Sequence, residues 1–186
     1  MPCERGTLVQ ASDGLLARCV GPWSKDKLYY IRRYLDVFST ATREKFQNLI
    51  YIDLFAGPGR CVTDDSSDEF DGSPLAALEL RYQFTDYHFV EADPQALDAL
   101  RTRVARKFPD TNVNYYPGDA NELIPTIVSA LPQNSLSVAV VDPTGLHLHF
   151  ENLRLLTAGR KMDLIYLFPE GMDVKRNLDK IGRAHV

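Results

Sequence analysis

The sequence is poor in cysteine, has no long apolar run and carries no strong excess of either charge. Its three cysteines, Cys3, Cys19 and Cys61, are widely spaced and odd in number, which favours free thiols in a reducing cytoplasm over a disulfide framework. No run approaches the length of a membrane span, and no signal-peptide pattern opens the chain, so we expect no membrane association. A net charge of −4 creates no global attraction to nucleic acid or acidic membranes.

Strand-like segments alternate with helix-like segments along the chain. An aromatic helical segment begins at Trp23, with Ser24 as its expected N-cap. The alternation predicts an α/β fold with a doubly wound, mostly parallel sheet and helices on both faces. Residues 1–22 are expected to form an extended lead-in, and the acidic residues 61–72 a solvated surface loop. The five predicted strands lie in NLIYIDLF, DYHFVEAD, NVNYYPGDA, SLSVAVVDP and MDLIYLFPEG.

The end of the sequence departs from this alternation. Residues 181–186, IGRAHV, match the translation of a common sequencing adapter followed by a stop codon, so we expect a non-native tail. The predicted domain then covers residues 23–180. Related folds continue beyond a fifth strand, so we expect a sheet that is truncated at about that point.

A glycine-rich bend follows the first predicted strand, in YIDLFAGPGR. Gly57 and Gly59 have no Cβ, so a ligand can come close to the backbone there. Val62 stands where the dinucleotide fingerprint has its third glycine, and no helix follows the glycines at once. Both departures disfavour a pyrophosphate. Asp53, at the end of the strand, is a candidate acceptor for the ammonium group of a ligand.

Two more acidic residues follow the second and third predicted strands. Glu91 lies 32 positions after Gly59, or 20 if residues 61–72 are an insertion, and an acid at about that spacing binds ribose hydroxyls in doubly wound folds. Asp119 could accept a hydrogen bond from an adenine amino group, with Ala120 packing near the ring. Asp119 is equally well placed to cap the helix that follows.

The fourth predicted strand ends in Asp142 and Pro143. A carboxylate at the exit of a buried strand requires a reason. Asp142 and the carbonyl group of Pro143 could accept hydrogen bonds from a substrate amine across the cleft. The alternative is a strand-end turn made by the Asp-Pro pair.

These candidate groups fit S-adenosylmethionine better than a phosphate-rich cofactor, because this ligand has an ammonium group, a ribose and an adenine but no phosphate. We therefore predict S-adenosylmethionine binding and direct methyl transfer to a substrate nitrogen or oxygen. His147 and His149 have no ligand set at suitable spacing, so no metal site is predicted.

Several motifs occur in a fixed order between about Gly21 and Pro169: the Trp23 to Lys27 stretch with its aromatic helix, YIDLFAGPGR, GSPLAAL, FVEAD, DPTGL and DLIYLFP. In these motifs the sequence resembles class I, Rossmann-like methyltransferases, and more closely the three-Cys-motif partner protein family. The resemblance implies a bacterial S-adenosylmethionine-binding domain. It also implies a partner with a three-cysteine motif, which in turn resembles radical enzymes that use the same cofactor.

Two other functions stay open from the sequence. One is a non-catalytic module that binds S-adenosylmethionine or docks a partner. The other is an NAD-dependent oxidoreductase, which Val62 and the acidic insertion disfavour.

A nucleic-acid surface is also conceivable on the first helix, where basic residues lie among tyrosines. We favour a solvated helix face, the commoner explanation of such a cluster. The cluster comprises Lys25, Lys27, Arg32 and Arg33 with Tyr29, Tyr30 and Tyr34.

In DPTG, Gly145 stands where base-modifying amino-group methyltransferases carry an aromatic residue, which argues against a base as the methyl acceptor.

Overall fold

The structure, a computed structural model, describes residues 3–145 and 148–168. The predicted tail at 181–186 and the predicted truncation of the sheet therefore lie outside the described residues. In chain order the elements are β1 (Leu8–Gln10), β2 (Leu16–Val20), α1 (Trp23–Thr42), β3 (Leu49–Asp53), β4 (Arg60–Thr63), β5 (Glu69–Asp71), α2 (Ser73–Leu78), β6 (Asp86–Glu91), α3 (Pro94–Lys107), β7 (Val113–Pro117), α4 (Ala120–Ala130), β8 (Leu136–Val141), α5 (Phe150–Thr157) and β9 (Lys161–Tyr166).

The five predicted strands form one sheet in the order β7-β6-β3-β8-β9. Every neighbouring pair of these strands runs parallel. The strand β3 lies in the middle, and all five of its residues are buried, which accounts for its continuous apolar sequence. The order reverses between β3 and β8, as in doubly wound folds. The α/β prediction is confirmed.

Helices cover both faces of this sheet. On one face α1, α2 and α3 pack against aromatic strand residues that include Tyr51, Tyr87 and Phe89. On the other face α4 and α5 pack against aliphatic residues that include Ile50 and Ile52. Successive strand residues point to opposite faces, so Leu49 and Tyr51 of β3 belong to one core, and Ile50 and Ile52 belong to the other.

A second sheet, in the order β1-β2-β4-β5, corrects two predictions. Residues 1–22 do not form the predicted lead-in, because β1 and β2 form an antiparallel hairpin, and β2 pairs in parallel with β4. The acidic stretch 61–72 is the predicted solvated loop only in part: residues 65–68 are exposed, but the residues on either side of them belong to a β4–β5 hairpin. Arg60 pairs with Glu69 and Asp71, which neutralises part of the acidic stretch.

The N-terminal end of α1 also differs from the prediction. Ser24 is buried inside the first turn rather than capping the helix, and the N-cap position is Pro22. A proline at the start of a helix needs no hydrogen-bond partner, because it has no N–H group. The aromatic helix itself is confirmed, from Trp23 to Thr42.

The cysteine prediction is wrong for two of the three residues. Cys3 and Cys19 form a disulfide, with their Cα atoms 6.0 Å apart, a separation typical of such bonds. Cys61 is free, and burial raises the pKa of its thiol to about 11. The spacing of the two cysteines along the chain does not predict this bond. Cys3 precedes β1 and Cys19 lies in β2, and the β1–β2 hairpin brings them together.

Membrane spans and metal clusters are both absent from the part of the chain that the structure describes. Across residues 3–145 and 148–168, no helix combines the length and apolarity needed to cross a membrane. The same residues contain no group of three or more His, Cys, Asp or Glu side chains arranged to hold a metal ion.

Candidate functional site

The candidate site lies at the carboxyl edge of the parallel sheet, where the strand order reverses. The strands β3 and β8 are neighbours in register, with Asp53 opposite Val140. The chain leaves β3 towards one side of this edge and β8 towards the other, which opens a crevice between the following loops. All of the predicted site residues lie at strand ends, or in the segments that directly follow them, at this edge.

The glycine turn, residues 54–59, is fixed to both neighbouring strands by its own backbone. The amide N–H of Leu54 donates to the carbonyl oxygen of Val140 in β8 at 3.1 Å. The amide N–H of Ala56 donates to the carbonyl oxygen of Val90 in β6 at 2.9 Å. The turn is therefore a continuation of the sheet edge.

The two glycines of the turn are required for different reasons. Gly57 has φ +61° and Gly59 has φ +81°, a region that residues with a Cβ rarely adopt. A Cβ on Gly59 would lie 2.8 Å from Cδ1 of Leu100 and 3.2 Å from Cγ of Leu75, so this glycine is needed for packing. A Cβ on Gly57 would have no atom within 4 Å. The missing side chain of Gly57 therefore leaves open space over the backbone.

The carboxylate of Glu91 lies beside this turn. Its Oε2 accepts a hydrogen bond from the amide N–H of Gly57 at 2.7 Å, and its Oε1 accepts one from the amide N–H of Asp93 at 2.9 Å. The side chain keeps an exposed fraction of 11%, and the Arg18 guanidinium lies 4.0 Å away. Glu91 and the turn thus form one site, although 34 residues separate Glu91 from Gly57. Ribose binding by Glu91 stays a prediction.

Asp119 lies at the same edge, one strand further out. The strands β6 and β7 are in register with Glu91 opposite Pro117, and the amide N–H of Gly118 donates to the backbone carbonyl of Glu91 at 3.1 Å. Oδ1 of Asp119 accepts a hydrogen bond from the amide N–H of Asn121 at 2.7 Å, so its predicted role as the N-cap of α4 is confirmed. Ala120 is buried behind it. Contact of either residue with an adenine stays a prediction.

Asp53 is fully buried beneath the turn. Its Oδ2 accepts a hydrogen bond from the Tyr51 hydroxyl at 3.0 Å, and its Oδ1 accepts one from the amide N–H of Phe55 at 3.2 Å. The pKa of this carboxyl group is raised to about 6: burial raises it most, hydrogen bonds from Ser73, Phe55 and Tyr51 lower it in part, and the charge of Asp142 adds a small rise. Its predicted contact with a ligand's ammonium group stays a prediction.

Asp142 has a partner that the sequence did not reveal. Oδ2 of Asp142 lies 2.5 Å from Nζ of Lys27 in α1, 115 residues earlier in the chain. The two side chains are partly buried, with exposed fractions of 30% and 26%. Pro143 is buried next to this pair. The carboxylate expected to face a substrate amine is therefore held by an ammonium group of the protein.

The basic cluster on α1 is partly neutralised in the same way. Besides the Lys27 pair, Lys25 lies 2.5 Å from Asp68, and Arg32 lies 3.9 Å from Glu79. These pairs leave less positive charge for a phosphate backbone, and they favour the solvated-face interpretation of the cluster.

Comparison with known proteins does not assign a function to the chain. No family model matches the chain, and no curated protein matches it. A solved structure described as "Putative methyltransferase yhhF from Escherichia coli" resembles it with a TM-score of 0.47 and 17% sequence identity. The match covers 73% of this chain and 62% of that one, so the chain spans less than two thirds of that protein's length. At this level of similarity, the function has to be inferred from the geometry of the site.

Proposed function

We propose that the chain binds S-adenosylmethionine in the crevice above the glycine turn and transfers its methyl group to a nitrogen or oxygen acceptor. The observation that carries the proposal is the 2.7 Å contact between the Glu91 carboxylate and the Gly57 amide. This contact places Glu91, an acid at the position that binds ribose in doubly wound folds, beside a turn with open space above it. Both lie at the edge where doubly wound sheets bind ligands.

The residues present fit this cofactor. The open side of Gly57 admits a ligand that lies against the backbone without a steric wall. Glu91 supplies carboxylate oxygens for the ribose hydroxyls, and Asp119 supplies an oxygen for the adenine amino group. The turn is followed by β4 rather than by a helix N-terminus, which suits a ligand without phosphate.

In this proposal the buried carboxylate of Asp53 supplies negative charge beneath the methionine end of the pocket. A carboxylate buried without a cation is unfavourable, and a ligand ammonium group would offset this cost. In the unliganded fold the Tyr51 hydroxyl and the Phe55 amide hold the carboxylate in place. The cofactor supplies a methyl group on a sulfonium, which needs only alignment with the acceptor.

Asp142 and the carbonyl group of Pro143 face the acceptor in this proposal. The attacking nitrogen or oxygen donates a hydrogen bond to Asp142, which directs its lone pair away from the carboxylate. With the cofactor bound, its sulfonium would give up the methyl group and keep the electron pair of the carbon–sulfur bond, and Asp142 would accept the proton that the acceptor loses. Lys27 contacts Oδ2, so the acceptor is assigned to the other carboxylate oxygen.

One observation favours the non-catalytic alternative, in which the chain binds the cofactor and docks a partner. The Lys27–Asp142 pair occupies one oxygen of the carboxylate that a catalytic role would need. A three-cysteine-motif protein remains the proposed partner on the strength of the sequence resemblance. Radiolabelled methyl transfer in the presence of that partner separates the catalytic function from the non-catalytic one. If the site is catalytic, Asp142→Asn abolishes transfer. Partner binding is unchanged in this variant whether or not the site is catalytic.

Calorimetric titration with S-adenosylmethionine, and separately with NAD, tests the cofactor. We expect binding of the first only. Glu91→Gln should weaken it by roughly 10- to 100-fold, because a charge-assisted hydrogen bond to the ribose is lost. Glu151→Gln is the matched control, since Glu151 is exposed on α5 and pairs with Arg154. Binding of NAD alone, or equal affinity in the two variants, contradicts the assignment.

Asp119→Ser isolates the adenine contact from the helix cap. Serine is as good an N-cap as aspartate, but its side chain is too short to reach an adenine. The expected result is weaker binding of S-adenosylmethionine with an unchanged melting temperature. Unchanged affinity would leave Asp119 with its capping role alone.

A further inference from the structure

Arg103, in the middle of α3, is an almost completely buried charged residue, with an exposed fraction of 5%. Its Nε and Nη2 donate to the two carboxylate oxygens of Asp13 at 2.8 and 2.9 Å. Its Nη1 donates to the carbonyl oxygens of Leu16 at 2.6 Å and of Pro58 at 2.7 Å. A bidentate carboxylate and two carbonyl groups therefore satisfy this guanidinium, as a buried charge requires.

The partners of Arg103 come from separate parts of the fold. Asp13 lies in the bend between β1 and β2, and Leu16 begins β2. Pro58 lies between the two glycines of the candidate cofactor turn. One guanidinium thus connects the N-terminal hairpin to that turn across 90 and 45 residues of sequence.

The turn needs such support because of its composition. Gly57 and Gly59 leave its backbone with many accessible conformations. The peptide that ends in the Gly57 amide is held by Glu91, at 2.7 Å. Two peptide groups further along the chain, the Pro58 carbonyl oxygen accepts a hydrogen bond from Arg103. Side chains on the two sides therefore fix the peptide planes that surround the open space over Gly57.

We infer that Arg103 is a positioning residue for the cofactor turn, and that through it the N-terminal hairpin determines the shape of the cofactor site. This inference rests on the proposed function for the identity of the ligand. A guanidinium that only stabilised the hairpin would not need the Pro58 carbonyl group, whereas a positioning role requires that contact. Loss of Arg103 should then loosen the turn more than the sheet.

Hydrogen exchange by mass spectrometry measures this loosening without any ligand. In Arg103→Met, the amides of residues 54–57, 59 and 60 should exchange at least roughly tenfold faster than in the unchanged protein, while those of β8 keep their rates. Affinity for S-adenosylmethionine should fall roughly tenfold. Arg103→Lys, which can keep one carbonyl contact, should lie between. Arg101→Met is the control, because Arg101 is an exposed residue of the same helix.

The outcomes separate the inference from the proposed function. If the unchanged protein does not bind S-adenosylmethionine, the proposed function fails, and the exchange rates still decide the inference. Equal acceleration in the turn and in β8, or none in either, overturns it. If Arg103→Met does not fold, Asp13→Asn replaces it. That variant keeps Arg103 but removes the charge from the hairpin, and unchanged exchange in the turn would overturn the coupling.

Discussion

Replacement of Asp53 by asparagine should stabilise the protein at neutral pH while it removes cofactor binding. Asp53 is fully buried, and its pKa rises from 3.8 to about 6 on folding, chiefly through burial. Between these two pH values the folded protein binds a proton that the unfolded chain does not bind. The free energy of unfolding contributed by Asp53 therefore falls as the pH rises from about 4 to about 6, and stays low above that range.

The size of the effect follows from the two pKa values. At ~1.36 kcal/mol per pH unit, the difference between 3.8 and about 6 corresponds to ~3 kcal/mol. Asparagine keeps a carbonyl oxygen for the Phe55 amide, and the Tyr51 hydroxyl can turn to accept from its NH₂ group. Some hydrogen-bond strength is lost, so we expect a gain of ~1–3 kcal/mol near neutral pH and almost none near pH 4.

Urea unfolding at a series of pH values checks this prediction, with Asp98→Asn as the control because Asp98 is largely exposed. The stability of Asp53→Asn should lack the decline that the unchanged protein shows between about pH 4 and 6. Calorimetry on the same samples should show loss of S-adenosylmethionine binding. Parallel stability curves for the two proteins, or a less stable variant at neutral pH, would refute the reasoning from burial.

Two further results are expected from the turn and from the cysteines. Gly57→Ala should lower the free energy of unfolding in urea by ~1–2 kcal/mol, because a Cβ is unfavourable at positive φ. Gly59→Ala should lower it by ~1–3 kcal/mol more, because its Cβ would also overlap a packed leucine. Equal losses in the two variants would contradict the packing role of Gly59. Alkylation in denaturant without a reductant should label Cys61 alone, with Cys3 and Cys19 labelled only after reduction. Three labels before reduction would disprove the disulfide.

Much of the fold could be predicted because it depends on local patterns. The alternation of strand-like and helix-like segments predicted a parallel sheet, and β3 lies buried in the middle of it. The aromatic helical segment was predicted to begin at Trp23, and α1 begins there. The carboxyl ends of parallel strands share one edge of the sheet, so the order of strands and acids along the chain was enough to assign the strand-end acids to one crevice.

The N-terminal region could not be predicted in this way. Its strands are short, and β2 pairs with β4, which lies 40 or more residues later. Periodicity within a segment carries no information about such a pairing, since the partner decides whether a short extended segment becomes a strand. The Cys3–Cys19 disulfide depends on the same fold, because only the distance between two cysteines decides whether they can bond.

The sequence by itself determined the parallel sheet, the open glycine turn and the acids at the strand ends, because each follows from backbone sterics and from burial along a single segment. Tertiary structure alone decided that Lys27 holds Asp142 and that Arg103 joins Asp13 to the turn. These charged side chains lie far apart along the chain, and each has many candidate partners of opposite sign. Only the packing of α1 and α3 against the sheet brings one partner within hydrogen-bond distance.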